Sequence, residues 1–425
     1  MARLQSRQIS QLHLYQVLHA VRLAQEPVSR AEVGDITGLS QPAVSSLTRR
    51  LLESGALVEV GARPSQGGGR RERELALNPD HAWVVGVKVA VHQLTVALCD
   101  FAGGVRNTLK VPLSSPMTQA ALVRVLSREI EACLAQAGGT VRQRLAGVGV
   151  ALPGFIDSIR GEVLWSPVLK PNRNKEAAPL DHALTEAMGV PVFIENDANM
   201  LALAEQWFGQ AARVANVAVI TLEHGLGLGL VLNGELYRGH SGLAAELAHL
   251  QVQRNGLTCQ CGKQGCLEAY VAHYAMARQA QASGLIAGYD TDSAEGVMAA
   301  HAELTRLARQ GNAAAREVFE TQGSVLGQWI GNVVNLLAPQ LVLLDGDGTS
   351  AADLYEPALR DAMAQAMLLP HRTGVQLVVR QQGDEVWARG AASLVLQRLD
   401  ESAEVVESVS RHGFESENVG RRPDA

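Results

Sequence analysis

Aromatic side chains are scarce in this 425-residue sequence, at 4%, and it holds only five cysteines. A disulfide-framed miniprotein carries cysteine far more densely and is far shorter, so that class is excluded. A continuous apolar segment of membrane length is also missing. The longest charge-free run, Thr321 to Leu344, is interrupted by Gln328, Asn332, Asn335, Pro339 and Gln340. It reads as a buried helix, a proline stop and a strand. The N-terminus, Met1-Ala2-Arg3-Leu4-Gln5-Ser6-Arg7, lacks the apolar stretch of a secretion signal. These absences predict a soluble cytoplasmic protein. What is present is 47% hydrophobic residues, enough for real cores over two or three domains and too many for disorder in the bulk of the chain.

The net charge of −6 argues against a general polyanion binder, but it is unevenly spread. Residues 1–80 hold ten arginines against eight carboxylates, and the remainder holds 27 basic residues against 35 acidic ones. The front of the chain is the part able to approach nucleic acid.

That front, residues 1–80, reads as a winged helix-turn-helix. Ile9, Leu12, Val17, Leu18 and Val21 recur at helical spacing and predict a helix over about 8–24, ending before Pro27. Ser29-Arg30-Ala31-Glu32 announces a second helix through a capping box. Gly38 permits a tight turn, and Ser40 is expected to cap a third helix whose first turn tolerates Pro42. Val44, Leu47 and Leu51 share one face of it, leaving Gln41, Ser45, Ser46 and Arg49 outward. Gln pairs with adenine, Arg with guanine and Ser with either class of base or phosphate, so this is a candidate recognition face; a merely solvated polar face is the competing reading. Two short strands, Leu57–Val60 and Glu74–Leu77, flank a stretch of glycines ending in Arg70 and Arg71, suited to a wing along phosphates. One head of charge +2 binds weakly alone, which predicts a homodimer or homotetramer on two half-sites.

From Trp83 onward, β-branched strands alternate with Ala- and Leu-rich helices, the texture of layered α/β structure. Val84–Val89 and Leu94–Leu98 form a predicted hairpin, Leu122–Ala135 a helix, Val148–Ala151 a strand, and Val192–Ile194 a strand leading into Asn196 and Asp197. A helix over Ala198–Phe208 and strands Val217–Leu222 and Gly229–Leu232 follow. Strand exits of open α/β sheets are where ligand sites form, so Asp197 reads either as a carboxylate for a hydroxyl, with Asn196 orienting it, or as the N-cap of the next helix. His249, Cys259, Cys261 and Cys266 have the composition of a closed structural Zn2+ site, with Gly256, Gly262 and Gly265 to bend the backbone. Reduced unligated thiols are the alternative. With four protein ligands, the zinc has no open position for catalysis. Beyond Leu399 no apolar period persists, and residues 401–425 are expected to be a disordered tail.

The ordered set Pro153-Gly154, Glu195 to Asn199, His224 to Gly229, Gly234 to Leu236, Glu246 to His249 and Cys259 to Glu268 resembles the ROK family of repressors and sugar kinases, over about Trp83 to Leu399. With the head in front, the chain is similar to the Mlc and NagC type of sugar-responsive repressor. The resemblance implies a two-lobed actin-like ATPase (ribonuclease H-like) domain over 81–400 with a zinc loop over 246–268. It also implies a sugar pocket using Asn196, Asp197, Glu246, His249 and Glu268. The sequence departs from the kinase pattern where phosphate would sit. The D-x-G-G-T element is matched by Lys88-Val89-Ala90-Val91-His92, and the G-T-G-x-G loop by Glu223-His224-Gly225-Leu226-Gly227. A basic residue replaces the metal-holding Asp, two glycines gain side chains, and a carboxylate faces the triphosphate. Asp345-Gly346-Asp347-Gly348 is likewise acidic, and Ala248 stands where the family's E-x-G-H motif has Gly.

A transcriptional repressor of sugar genes that binds operator DNA is therefore expected, with no catalytic residues. A sugar, sugar phosphate or phosphotransferase-system protein would be its effector. A bifunctional ATP-dependent hexose kinase is the enzymatic alternative.

Overall fold

The computed structural model describes residues 6–24, 26–63, 71–171 and 178–401. Arg70 and residues 402–425 lie outside them. In the head, α1 (Ser6–Leu23) buries Leu14, Val17, Leu18 and Val21. Ile9 and Leu12 are exposed, against expectation, because the head's apolar core begins only at Leu14. α2 (Arg30–Thr37) opens with the reciprocal capping box: Glu32 N–H donates to Ser29 Oγ at 3.3 Å, and Ser29 N–H donates to Glu32 Oε2 at 2.8 Å. α2 stops at Gly38, whose φ of 69° lets its N–H reach Gly34 O.

α3 (Gln41–Glu53) turns Val44, Leu47 and Leu51 inward. Ser40 stands at its N-cap position, but its side chain makes no capping bond. Pro42 has no N–H, which removes one of the donors such a cap normally serves. β1 (Leu57–Arg63) and β2 (Glu72–Leu77) form an antiparallel pair, and Val28–Ser29 adds a short third strand on β2.

The body repeats one sheet plan twice. Sheet one contains β3 (Trp83–Val89), β4 (Gln93–Asp100), β5 (Val105–Pro112), β6 (Leu145–Leu152) and β7 (Val192–Asn196), in the order β7-β6-β3-β4-β5. β3, β4 and β5 form an antiparallel meander, while β6 and β7 add in parallel. α4 (Gln119–Ala137) and the helix Leu180–Met188 cover its outer face through Leu122, Leu126, Ile130 and Leu184. β7 leads directly into α5 (Asp197–Phe208). Sheet two follows the same order and strand senses with β8 (Val217–Leu222), β9 (Leu226–Leu232), the short strand Glu235–Leu236, β10 (Leu341–Asp345) and β11 (Gln376–Val379). On this sheet α6 (Ala313–Leu337) and α7 (Ala352–Ala366) pack. The Thr321–Leu344 run is thus the greater part of α6, a break and most of β10.

α8 (Glu385–Glu401) lies against the inner face of sheet one and along α5. Strand alternation points Val85 and Val87 toward α4 and places Val84, Gly86 and Lys88 on the side of α8. A Cβ at Gly86 would lie 1.8 Å from Ala388 O, and one at Gly390 would lie 1.9 Å from Met200 O. Only glycine admits these approaches of sheet to helix and helix to helix. One continuous apolar cluster joins Leu14, Val17 and Leu75 of the head to Phe101, Trp207, Leu396 and Leu399 of the body. Among the described residues, no helix is long and apolar enough to cross a membrane.

Candidate effector pocket, metal centre and DNA-facing surface

A single cavity opens where β3, β7 and β8 end, and Asn196, Asp197, Glu246, His249 and Glu268 all line it. Asn196 is the N-cap of α5, accepting from Ala198 N–H at 2.9 Å and Asn199 N–H at 3.3 Å, while its Nδ2 donates to Gly154 O at 3.1 Å. The cap that sequence reasoning offered to Asp197 thus belongs to Asn196. Asp197 is the first helical residue, and its Oδ1 accepts from Ala198 N–H at 2.9 Å. Burial raises its carboxyl, opposed by the charge of Lys88. Behind it, buried Glu195 accepts from Arg238 Nε at 2.6 Å and Asn199 Nδ2 at 3.1 Å, which anchors the strand exit. Burial first, then Asp197 and Glu268, push Glu246 up to about 7.

His249, Cys259, Cys261 and Cys266 bring their four donor atoms within 4.8 Å of one another. His249 Nδ1 and Cys259 Sγ are 3.6 Å apart, and Cys261 Sγ and Cys266 Sγ 3.8 Å. A tetrahedral ion with ~2.3 Å metal–sulfur bonds sets its ligand sulfurs ~3.8 Å apart, so this donor set fits zinc. Two short backbone pairings, Gln251 with Cys266 and Thr258 with Gln264, close the loop, and Gly265 at φ 77° lets it pass against Gln253 O. His249 faces two ways, because its Nε2 lies 4.0 Å from Glu246 Oε2 on the cavity side. Glu268 joins the two regions as well. Its Oε2 accepts from the Cys259 thiol and the Tyr274 hydroxyl, each at 3.1 Å.

The other half of the cleft is filled by charge. Lys88 Nζ donates to Glu223 Oε1 at 2.6 Å and to Asp384 Oδ1 at 2.9 Å, and lies 3.9 Å from the centre of the Trp387 ring. Lys88 is 1% exposed, and the two carboxylates hold it charged against the cost of burial. Asp384 Oδ2 also accepts from Gln93 Nε2 at 3.0 Å and Thr95 Oγ1 at 3.4 Å. Sequence reasoning singled out Lys88 and Glu223 separately but missed Asp384, which is 296 positions from Lys88. Its one local signal is Gly383-Asp384 ahead of a helix. His92 Nδ1, His224 Nδ1 and His273 Nε2 are buried beside this network without a hydrogen-bond partner. Burial lowers His224 to about 4 and His273 well below its ordinary value, so both are neutral.

On the head, Gln41, Ser46, Arg49 and Arg71 are exposed, while Ser45 is half-buried. Thr48, buried on the same helix, accepts from Arg30 Nε at 3.1 Å and donates to Val44 O at 2.8 Å. Arg30 and Arg73 both pair with Glu59, and Arg63 pairs with Glu32 and Glu74. The head meets the body at Arg22. Its Nε and Nη2 donate to the two oxygens of Asp400 at 2.7 and 2.8 Å, with both side chains fully buried. The guanidinium also lies 4.7 Å from the Phe101 ring and 5.5 Å from that of Trp207. Nothing in the local sequence around Arg22 or Asp400 signals this contact.

Residues 84–398 match the model of the ROK family. The DNA-binding transcriptional dual regulator NagC of Escherichia coli K12 is 30% identical over 373 residues, covering 88% of this chain and 89% of that one. A xylose repressor of Bacillus subtilis is 28% identical, covering 89% and 93%. Among solved structures, a ROK family transcriptional regulator described as a homologue of the E. coli Mlc protein aligns with a TM-score of 0.76 at 25% identity, covering 95% of this chain and 99% of that chain. A ROK family glucokinase from Streptomyces griseus, in complex with glucose and AMPPNP, aligns with a TM-score of 0.61 at 27% identity, covering 74% and 99%. The chain is thus similar to these regulators along nearly its whole length and to the glucokinase over about three quarters of it.

Proposed function

We propose, on the premise that this chain belongs to the ROK family, that it is a sugar-responsive transcriptional repressor without kinase activity. Its head, residues 1–80, reads operator DNA, its body, residues 81–400, senses a small sugar, and it acts in the cytoplasm as a homodimer or homotetramer. The observation that carries this reading is the route from pocket to head. α5 begins at Asp197 in the pocket and ends at Trp207 and Phe208, and α8 begins beside Asp384 and carries Asp400 in its last turn. Both far ends meet Arg22 of α1. With 17 residues at ~1.5 Å each, α8 spans ~25 Å as a rigid rod.

A sugar hydroxyl that donates to Asp197, and others held by Glu246, Glu268 and His249, would favour one setting of the two lobes. α5 and α8 would pass that setting to α1 and so to the spacing of two heads on DNA. A coupling of ~1 to 3 kcal/mol changes operator occupancy about 5- to 150-fold. Gln41, Ser46 and Arg49 would reach base edges, with Ser45 at the margin of that face, and Arg70 and Arg71 would lie along phosphate. Zinc on His249, Cys259, Cys261 and Cys266 supplies a closed structural cross-link; no open coordination position remains for chemistry. It would hold the His249 ring, and so its Nε2, in place at the pocket wall.

The kinase alternative needs room and donors for a triphosphate. Lys88, Glu223 and Asp384 pair with one another in the cleft and spend the lysine's charge internally, which speaks against such a donor set. The test is to capture genomic DNA fragments on the purified full chain, with and without xylose, glucose and N-acetylglucosamine. Retention of discrete fragments that one sugar releases is expected. Uniform retention of all fragments, unaffected by any sugar, would overturn the reading.

A further inference from the structure

We infer that the pocket takes a non-phosphorylated sugar and excludes the corresponding phosphate ester. This narrows the sensor reading above and rests on it. Among the described residues, six carboxyl side chains line the cavity, those of Asp197, Glu223, Glu246, Glu268, Asp347 and Asp384, against one ammonium, that of Lys88, and no arginine. A sugar phosphate brings a charge of about −1.5 to −2 at neutral pH and needs cationic or N–H donors to replace its water.

The lysine and two of the helix-start donors at the cavity are already engaged. Lys88 is buried and shared between Glu223 and Asp384 at 2.6 and 2.9 Å. At the helix N-terminus that opens on the cavity, that of α5, Ala198 N–H is taken by Asn196 and Asp197 and Asn199 N–H by Asn196. Filling those positions with the protein's own oxygens removes the anion site a bare helix start would offer.

What remains suits hydroxyl groups. The carboxyl of Asp197 lines the cavity, and carboxylates accept from a hydroxyl's O–H. The ring nitrogen His273 Nε2, on a residue 6% exposed, lacks a protein partner, as does Nδ1 of His92 and of His224. All three residues line the cavity. A neutral imidazole offers one donor and one acceptor, which matches a hydroxyl and gives a dianion one N–H and one repelling lone pair. Like-charge contact in a partly desolvated site costs enough to weaken binding by orders of magnitude.

The test is isothermal titration of the full zinc-loaded chain with xylose, glucose, N-acetylglucosamine and glucosamine, and with the phosphate ester of each. At least one free sugar is expected to bind, with its ester at least ~100-fold weaker. In Asp347→Asn, which removes one wall carboxylate, the ratio should narrow several-fold. An ester that binds as tightly as its free sugar, or more tightly, overturns the inference while leaving a small-molecule sensor intact. Absence of heat from every sugar and every ester overturns the sensor reading itself, and the inference with it.

Discussion

The hairpins β3–β4 and β8–β9 occupy the same place in their two sheets, and each turns at the cleft through three residues, Ala90-Val91-His92 in one and Glu223-His224-Gly225 in the other. In a nucleotide-binding protein, turns so placed present backbone N–H groups to phosphate. In this protein they present side chains to each other, since Lys88 near the end of β3 meets Glu223 at the end of β8. The wall made by the two turns pairs its charges internally through Lys88, Glu223 and Asp384, yet leaves His92 Nδ1 and His224 Nδ1 without a protein partner, while the wall around Asp197 and Glu246 carries carboxyl groups that no lysine or arginine among the cavity-lining residues pairs. The difference teaches that internal pairing of charge can close one half of a cleft while the other half stays open.

The largest effect is expected from reopening the closed half. Lys88→Ala leaves Glu223 and Asp384 facing each other in a buried site and should lower unfolding free energy by about 3 to 5 kcal/mol. Adding Glu223→Gln and Asp384→Asn should recover part of it, as measured by chemical denaturation. If Lys88→Ala is neutral, the two turns are not joined in the way described.

Next comes the metal loop beside the open half. Cys261→Ser should reduce bound zinc from about one ion per chain to a minor fraction, read by elemental analysis, and weaken sugar binding by about 10-fold through His249 and Glu268. Normal zinc content in this variant would separate the loop from the metal.

A third difference is set by protons. Burial holds His224, in the second turn, at about 4, and holds His81 and His301 at about 4 as well. In the unfolded chain these groups titrate near ~6.5. Their folded values are depressed, so the stability they contribute is present above ~6.5 and is lost as pH falls through 6.5 toward 4. Each costs up to about 1.4 kcal/mol per pH unit in that window. Melting temperature recorded from pH 7.5 to 5 should fall, and His301→Phe should flatten the slope.

The smallest effects are at the head. Arg49→Ala should cost about 1 kcal/mol on the true operator and relax base preference, whereas Arg71→Ala should weaken binding evenly across sequences and reduce the salt slope by about 1. Competition binding at two salt concentrations distinguishes them.

Much of this was legible in the sequence because it is local. The capping box at Ser29 and Glu32, the strand-to-helix passage at Asn196 and Asp197, and the glycine-spaced cysteines each depend on residues a few positions apart. Ser40 looked like a cap for the same local reason, yet the proline two residues on removes a donor it would serve. Asp197 was open between cap and ligand-binding residue, and the choice turned on Asn196, whose oxygen reaches two N–H groups at once. What was not legible is what the fold brings together from afar. Asp384 joins Lys88 only because α8 returns to sheet one through Gly86, and Asp400 joins Arg22 only because that same helix ends beneath the head. Neither carboxylate has a periodicity or motif that sets it apart before the fold is known.

The central claim is that the state of the pocket reaches the head through α5 and α8 at Arg22. Its most direct test is operator affinity with and without saturating sugar, in the wild type and in the double variant Arg22→Met with Asp400→Leu, which replaces both partners of the buried pair and so spares stability. The account predicts that sugar weakens operator binding about 5- to 150-fold in the wild type. In the double variant that factor should collapse toward one, while sugar affinity and sugar-free operator affinity stay near wild type. A double variant that releases the operator with the wild-type factor would contradict it.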